Sequence, residues 1–384
     1  MLVSRKFLAA VALTVTGALA ACGGGAAPSA APVSSAAAPA SPAGSAAAPA
    51  SATAASKPAA AASGAASASA KPAASGAAAA SGAAASGKVI TLGISQLFPH
   101  PVLDTYRKGF TDGLAAEGFA DGKNLKVDYQ NSQGDINAAK TIADKFVSDK
   151  DDLIFCITTP SCLAASKSTT TIPIIFGYVT DPVAAGIVKD AQHPGGNITG
   201  VTALNRVTDQ LKLMKEIMPN VKNVGTVWNP GEANSRVLVA SMKQDAAANG
   251  YTIVEATASS SGEVPTAAKS LVGKVDAIFI TGDNTAQAAL PAIIKLGEDN
   301  KIPVFTSDYS SVKQGAVATY NFLEDDLGKQ TAAMTARVLK GEKPGDIPVE
   351  GPKNFKVIVN PGAAAKMGLT IPDSVMKKAD VVIQ

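Results

Sequence analysis

Cysteine is scarce in this chain, with Cys22, Cys156 and Cys162 the only three among 384 residues. Histidine is scarcer still, limited to His100 and His193. So few soft ligands exclude a zinc cluster of the usual Cys and His composition, and no metal is expected. Trp228 is the single tryptophan and aromatics make up 5% of the residues. That thin supply disfavours a ring-stacking sugar site without removing sugars from the list. Charge of one sign is lacking too. The formal net charge is +3 with acids and bases interspersed, so there is no basic block and no nucleic-acid partner is expected. No apolar run reaches the roughly 20 residues that span a bilayer. Catalytic signatures are also missing. There is no Gly-x-Ser-x-Gly elbow. Gly82 to Lys88 imitates a phosphate loop, but Val89 stands where Ser or Thr is needed, and the segment precedes a strand instead of following one. Ser310-Ser-Val-Lys313 and Ser374-Val-Met-Lys377 have Ser-x-x-Lys spacing without the Ser-Asp-Asn or Lys-Thr-Gly that accompany it in penicillin-interacting enzymes. A carboxylate pair for hydrolysis stays open on counting alone, with no motif pointing to it. No enzyme activity and no cofactor are expected.

What is present divides the chain into three. In residues 1–22, Arg5 and Lys6 precede an apolar run, Phe7 to Ala20, that closes on Leu19-Ala20-Ala21-Cys22. A short hydrophobic region ending in small residues is the pattern of a cleaved export signal. A cysteine directly after Leu-Ala-Ala matches the bacterial lipobox, which predicts diacylation at Cys22 and stable anchoring through several acyl chains. Residues 23–87 are nearly all Ala, Ser, Gly and Pro, charged only at Lys57 and Lys71. Nothing there can form a core, and a disordered tether is expected, with a span of roughly 45 Å as a flexible coil. Residues 88–384 are long enough for the core to divide in two. Cys156 and Cys162, the cysteines of this segment, either pair or stand as two small hydrophobes.

From residue 88 onward β-rich runs alternate with amphipathic helices. Strands are expected at 89–94, 125–130, 153–157, 173–178, 223–228, 251–255, 276–281 and 302–306, with helices at 101–117, 136–149, 207–218, 233–249, 285–299 and 323–340. Strands separated by helices of this length form parallel sheets in doubly wound α/β domains. The pattern also repeats. Asp152 to Thr158 resembles Asp276 to Thr281, Ile172-Pro-Ile resembles Ile302-Pro-Val, and Ala115-Ala-Glu-Gly-Phe119 resembles Ala247-Ala-Asn-Gly-Tyr251. Three matched pairs in the same order predict two lobes on one plan, with strand carboxyl ends facing a shared cleft where ligands sit.

Polar residues collect at those strand ends. Thr158, Thr159 and Ser161 precede a helix, and its open N-terminus suits a carboxylate. Asp181, Asp283 and Asp308 offer partners to an ammonium. Gln96, Asn229, Asn234, Ser235 and Asn284 supply orienting groups, and His100 points into the same cleft. Phe98 or Tyr178 is placed to pack on an apolar part of the solute.

Several stretches together resemble one family: His100-Pro-Val-Leu-Asp104, Arg107-Lys-Gly-Phe110, Gly122-Lys-Asn124, Ile172-Pro-Ile174, Val179-Thr-Asp-Pro-Val183, Pro194-Gly-Gly-Asn197, Asn229-Pro-Gly-Glu-Ala-Asn-Ser235, Asp283-Asn284 and Leu369-Thr-Ile-Pro372. The chain resembles the TrpX-like ABC transporter substrate-binding proteins over essentially all of 88–384. The resemblance implies a type I periplasmic-binding-protein fold with three inter-lobe crossings. It places lobe one at about 88–220 and 321–345, and lobe two at about 221–320 and 346–384. It further implies an amino-acid-like solute, aromatic for some members of the family, and an ABC permease with its ATPase as partner; a monomer is expected. A ligand-sensing subunit for a membrane receptor or kinase is the alternative. Pro99 before His100, and Cys156 and Cys162 where small residues such as alanine are usual, depart from the family pattern beside the pocket.

Overall fold

The computed structural model describes residues 88–384; the export signal, Cys22 and the tether lie outside the described residues. The first half runs β1 (Ile90–Gln96), α1 (Pro101–Ala116), β2 (Leu125–Asn131), α2 (Ile136–Ser148), β3 (Leu153–Ile157), α3 (Thr159–Ser168), β4 (Ile174–Val179) and β5 (Ile198–Thr202). After α4 (Val207–Ile217) the second half runs β6 (Asn223–Trp228), α5 (Ala233–Asn249), β7 (Thr252–Thr257), α6 (Val264–Lys269), β8 (Ala277–Ile280), α7 (Asn284–Ala288), α8 (Leu290–Asn300), β9 (Val304–Thr306), α9 (Tyr309–Lys313) and β10 (Ala318–Asn321). Then follow α10 (Glu324–Leu339), β11 (Lys356–Val359), α11 (Pro361–Lys366), α12 (Asp373–Met376) and β12 (Val381–Val382).

The first sheet is parallel with order β2-β1-β3-β4-β5, and the second is parallel with order β7-β6-β8-β9. The shared order is the spatial form of the repeat seen in the sequence. Inner strands β3 and β4 are buried along their whole length, which is why Leu-Ile-Phe-Cys-Ile and Ile-Ile-Phe-Gly-Tyr-Val carry no alternation. Helix ends are set by local chemistry. Asp135 accepts from the N–H groups of Asn137 and Ala138 at the start of α2, and Gly250 closes α5 in the left-handed region at φ 72°.

Where the structure departs from the expected elements, the reasons are local. The run 285–299 is two helices, broken at Ala289 ahead of Pro291. β5 and β10 to β12 are two to five residues long, too short for periodicity to reveal. The helix α4, expected in lobe one, packs its Val207, Leu211, Met214 and Ile217 into the core of the second sheet. The chain therefore crosses between cores after Ala203, again between Ala318 and Phe322, and a third time between Phe355 and Val357. Cys156 and Cys162, left open by the sequence, are joined by a disulfide.

After the second crossing α10 lies directly on α1. A Cβ on Gly328 would sit 2.3 Å from the Tyr106 carbonyl oxygen, and one on Gly109 would sit 2.3 Å from that of Asp325. Both obstacles are backbone, so neither can swing aside. Gly328→Ala is expected to cost about 3 kcal/mol by forcing the helices apart, seen as a lower midpoint in urea unfolding; a neutral result would mean the helices are not in backbone contact.

Candidate functional site

The carboxyl ends of β1, β3 and β4 face those of β8 and β9 across a nearly closed gap with a cavity volume of about 10 Å³, room for about one water. From the first sheet it is lined by His100, Val102, Leu103, Thr158, Thr159, Tyr178, Thr180 and Ala203; from the second by Asn234, Gly282, Asp283, Asn284, Gln287 and Asp308, with Asn205 at the crossing. Two of these residues have backbones that L-residues seldom adopt. Thr158 has φ 78° and Tyr178 has φ 57°, at the ends of adjacent strands. Such conformations cost on the order of 1–3 kcal/mol each and cluster at ligand sites. The register between β4 and β5 slips between Gly177 and Val179, so the bulge turns Tyr178 toward the gap.

Five side-chain atoms lining the gap are buried and have no hydrogen-bond partner in the protein: both ring nitrogens of His100, the hydroxyls of Thr158 and Thr159, and Oδ1 of Asn234. Buried polar atoms are normally satisfied. An accumulation of orphans around one space marks groups held ready for a guest. Beside them, the start of α3 has no side-chain cap. Ser161 is likewise fully buried with a free hydroxyl but lies behind the lining, in the first turn of α3.

The second-sheet wall is a tied network. Glu232, 2% exposed, accepts hydrogen bonds from the N–H and hydroxyl of Thr285 at 3.0 and 2.7 Å, from the side chain and N–H of Asn284 at 2.5 and 3.2 Å, and from Asn234 at 3.1 Å. Asp283 accepts from the N–H groups of Asn229 and Ala286 at 2.7 and 2.6 Å and from the Ser235 hydroxyl at 2.6 Å. Burial, reinforced by the Glu232 charge, lifts the Asp283 carboxyl to about 7. Asp283 thus lines the gap with its oxygens already engaged.

Asp308 connects the two halves. Its Oδ1 accepts from the Tyr178 hydroxyl at 2.7 Å, and its Oδ2 from Gln287 Nε2 at 2.5 Å. Beside it Glu324, at the start of α10, accepts from the Ser310 N–H at 3.0 Å and the Ser310 hydroxyl at 3.2 Å. Both ties bridge the two cores, so the lobes are in direct contact. Burial raises Asp308 to about 6, and burial with the Asp308 charge raises Glu324 to about 8. Burial pushes the Tyr178 phenol well above its ordinary value. Burial lowers His100 to about 4 against the pull of Asp104, so its imidazole is neutral at pH 7.

These shifts predict a pH dependence. A carboxyl whose folded pKa exceeds its unfolded one binds a proton on folding, so its contribution worsens as pH rises between the two values. For Glu324 that window runs from 4.5 to about 8. His100 acts oppositely, but only below its ordinary value of 6.5. The melting temperature is therefore expected to fall between pH 6.5 and 8. Glu324→Gln should flatten that slope, at about 1.4 kcal/mol per unit of pKa difference removed. Scanning calorimetry across the window checks it, and equal slopes in both proteins would reject the assignment.

Of the sequence-expected residues, His100, Thr158, Thr159, Tyr178, Asn234, Asp283, Asn284 and Asp308 come together around the gap. Six others stand apart from the lining. Asp181 caps its own turn, accepting from the N–H groups of Val183 and Ala184. Gln96 is consumed by Phe98 O, Asp104 and Arg107. Phe98 packs against Gly134. Asn229 is tied to Thr285 and Gly231, Ser235 to Asp283, and Ser161 sits behind the lining. Glu232, Gln287, Asn205 and Glu324 were not singled out by sequence. Glu232 had a signal, lying inside the quoted Asn229–Ser235 stretch, but an acid in a loop resembles any other until its partners are known.

Two like-built lobes that share a buried gap lined by unpaired polar atoms define a solute-binding protein of the type I periplasmic-binding-protein fold. Among such proteins, the chain belongs to the ABC transporter substrate binding protein family, whose profile matches residues 91–383. A tyrosine-binding protein of Clostridioides difficile (strain R20291) is 42% identical over 275 residues, covering 72% of this chain and 80% of that one. The crystal structure of an ABC domain in complex with L-Trp from Streptococcus pneumonia superposes with a TM-score of 0.74 at 36% identity, over 77% of this chain and 99% of that one. The ligand-free, open structure of a substrate binding protein with adhesive properties from Clostridium difficile gives a TM-score of 0.58 at 38% identity, over 77% and 100%. Among the described residues no helix is long and apolar enough to cross a membrane, and no group of acidic, Cys or His side chains is placed to hold a metal.

Proposed function

We propose that this chain is the extracytoplasmic receptor of an ABC importer and captures an aromatic L-amino acid between its lobes. The five unpaired polar atoms around the gap carry this reading. Their chemistry is divided as a zwitterion requires. The first lobe offers donors, the Thr158 and Thr159 hydroxyls and the uncapped start of α3, to an α-carboxylate. The second offers an unpaired acceptor, Asn234 Oδ1, to an α-ammonium, beside the Asp308 carboxylate that Tyr178 and Gln287 hold in place. Val102, Leu103, Ala203 and the Tyr178 ring supply apolar contact for the side chain. Closing the lobes buries the solute and strengthens each polar contact by excluding water. The relatives that bind tyrosine and L-Trp support the solute class.

Calorimetric titration of the purified protein with L-tyrosine, L-tryptophan, the other amino acids and a sugar panel tests this. Saturable binding of the aromatic pair is expected; binding of sugars alone, or of nothing, rejects the reading. The receptor acts as a monomer and delivers its solute to a permease driven by an ATPase. Acylation at Cys22 holds it to the membrane, with residues 23–87 as the tether. Expressed in its own host, Cys22→Ala is expected to move the protein from the membrane fraction to the soluble fraction; an unchanged membrane fraction would discard the anchor.

A further inference from the structure

The disulfide closes a short loop from Cys156, inside β3, to Cys162, in the first turn of α3. That loop contains Thr158, Thr159 and Ser161, all buried and all with unpaired hydroxyls. Its most constrained point is Thr158, a β-branched residue at φ 78°. A conformation that L-residues avoid persists only where the surroundings over-determine it. Here the backbone of Thr158 is held by two hydrogen bonds, its N–H donating to the Gly177 carbonyl at 2.9 Å and its carbonyl accepting from the Cys162 N–H at 3.1 Å, and the side chains add none. Neither the Thr158 side chain nor any other caps α3, and the loop hydroxyls bond to nothing. The upstream end is fixed by β3, whose Cys156 pairs in register with Ser95 on one side and Phe176 on the other. The downstream end is fixed by the Cys162 N–H bond to the Thr158 carbonyl and, through sulfur, by Cys162 itself, which is fully buried in the core formed with Ala139, Ala143 and Phe146.

We infer that the Cys156–Cys162 bond is a positioning element of the solute site, holding the Thr158–Ser161 loop in its receiving shape so that breaking it weakens capture without unfolding the protein. The inference rests on the proposed reading of this loop as the carboxylate cradle. Cross-links over short loops restrict the unfolded chain least, so the effect falls on local order more than on global stability. Reduction by a dithiol such as dithiothreitol breaks the one S–S bond. Two electrons and two protons pass to the cysteines, leaving two thiols, while the dithiol closes to its own cyclic disulfide.

The test uses the full-length mature protein in three forms: as purified, refolded under dithiothreitol, and as Cys156→Ala/Cys162→Ala. Peptide mapping of the purified form is expected to show residues 156 and 162 linked; two free thiols overturn the inference. Hydrogen exchange of ligand-free protein is expected to quicken at the amides of 157–163 in the reduced and Ala forms, with the rest of the first sheet unchanged. Equal exchange in all forms overturns it, whatever is found about ligands. Titration with L-tyrosine and L-tryptophan should give a Kd raised roughly tenfold in the reduced form and restored on reoxidation. The double variant should match the reduced form and ignore reductant. Equal Kd values overturn the inference. If no form binds any amino acid, the cradle reading falls, and the bracing of the loop is decided on exchange alone.

Discussion

Thr159→Val is expected to weaken binding of L-tyrosine and L-tryptophan roughly 10- to 100-fold, the worth of one hydrogen bond to a charged group. Valine keeps the shape and removes only the hydroxyl. In the ligand-free protein Thr159 is 1% exposed and its hydroxyl is unpaired, so loss of that hydroxyl breaks no protein hydrogen bond. The two measurements therefore separate: calorimetric Kd rises while the melting temperature of free protein holds or climbs slightly. A residue that merely caps or packs would show the reverse. Thr159→Ser, which retains the hydroxyl, should bind nearly as the unaltered protein does. An unchanged Kd for Thr159→Val would remove Thr159 from the site.

The largest stability effect is expected at Glu232, which lies behind the residues that line the gap. Its carboxylate takes five hydrogen bonds from Asn234, Asn284 and Thr285, including both N–H groups at the start of α7. Glu232→Ala leaves these buried donors unmatched at a cost of about 1–3 kcal/mol for an unsatisfied group, and more than one is affected. A loss of about 4 kcal/mol, or a melting temperature lower by about 10 °C, is expected. Asn234 and Asn284 would lose their anchor, so solute affinity should fall as well. Glu232→Gln keeps one acceptor oxygen and should be intermediate. If Glu232→Ala melts with the unaltered protein, the network does not organise the second wall.

Much of the architecture was legible because it is written in local patterns. Continuous apolar runs such as 153–157 follow from burial on both faces of a parallel sheet, and helical periodicity recurs between them. The repeat was visible because matching strands face matching environments, Asp152–Thr158 against Asp276–Thr281. The site was legible as a set of loops but not residue by residue. Asp181 and Asp308 both follow a strand end in a polar loop. One closes its own turn through Val183 and Ala184, while the other joins the lobes through Tyr178. The placement of α4 was missed because an amphipathic helix shows that it has an apolar face, not which core receives it.

The sequence by itself determined the parallel α/β plan, its duplication and the collection of polar residues at the strand tips, since these depend on neighbours a few positions apart. Only the tertiary structure decided which of those polar atoms are spent and which are free. That depends on partners such as Asn229 and Asp283, 54 residues apart, or Tyr178 and Asp308, 130 apart. A hydrogen bond exists only at contact distance, so whether an oxygen is available to a solute is settled by packing and not by residue type.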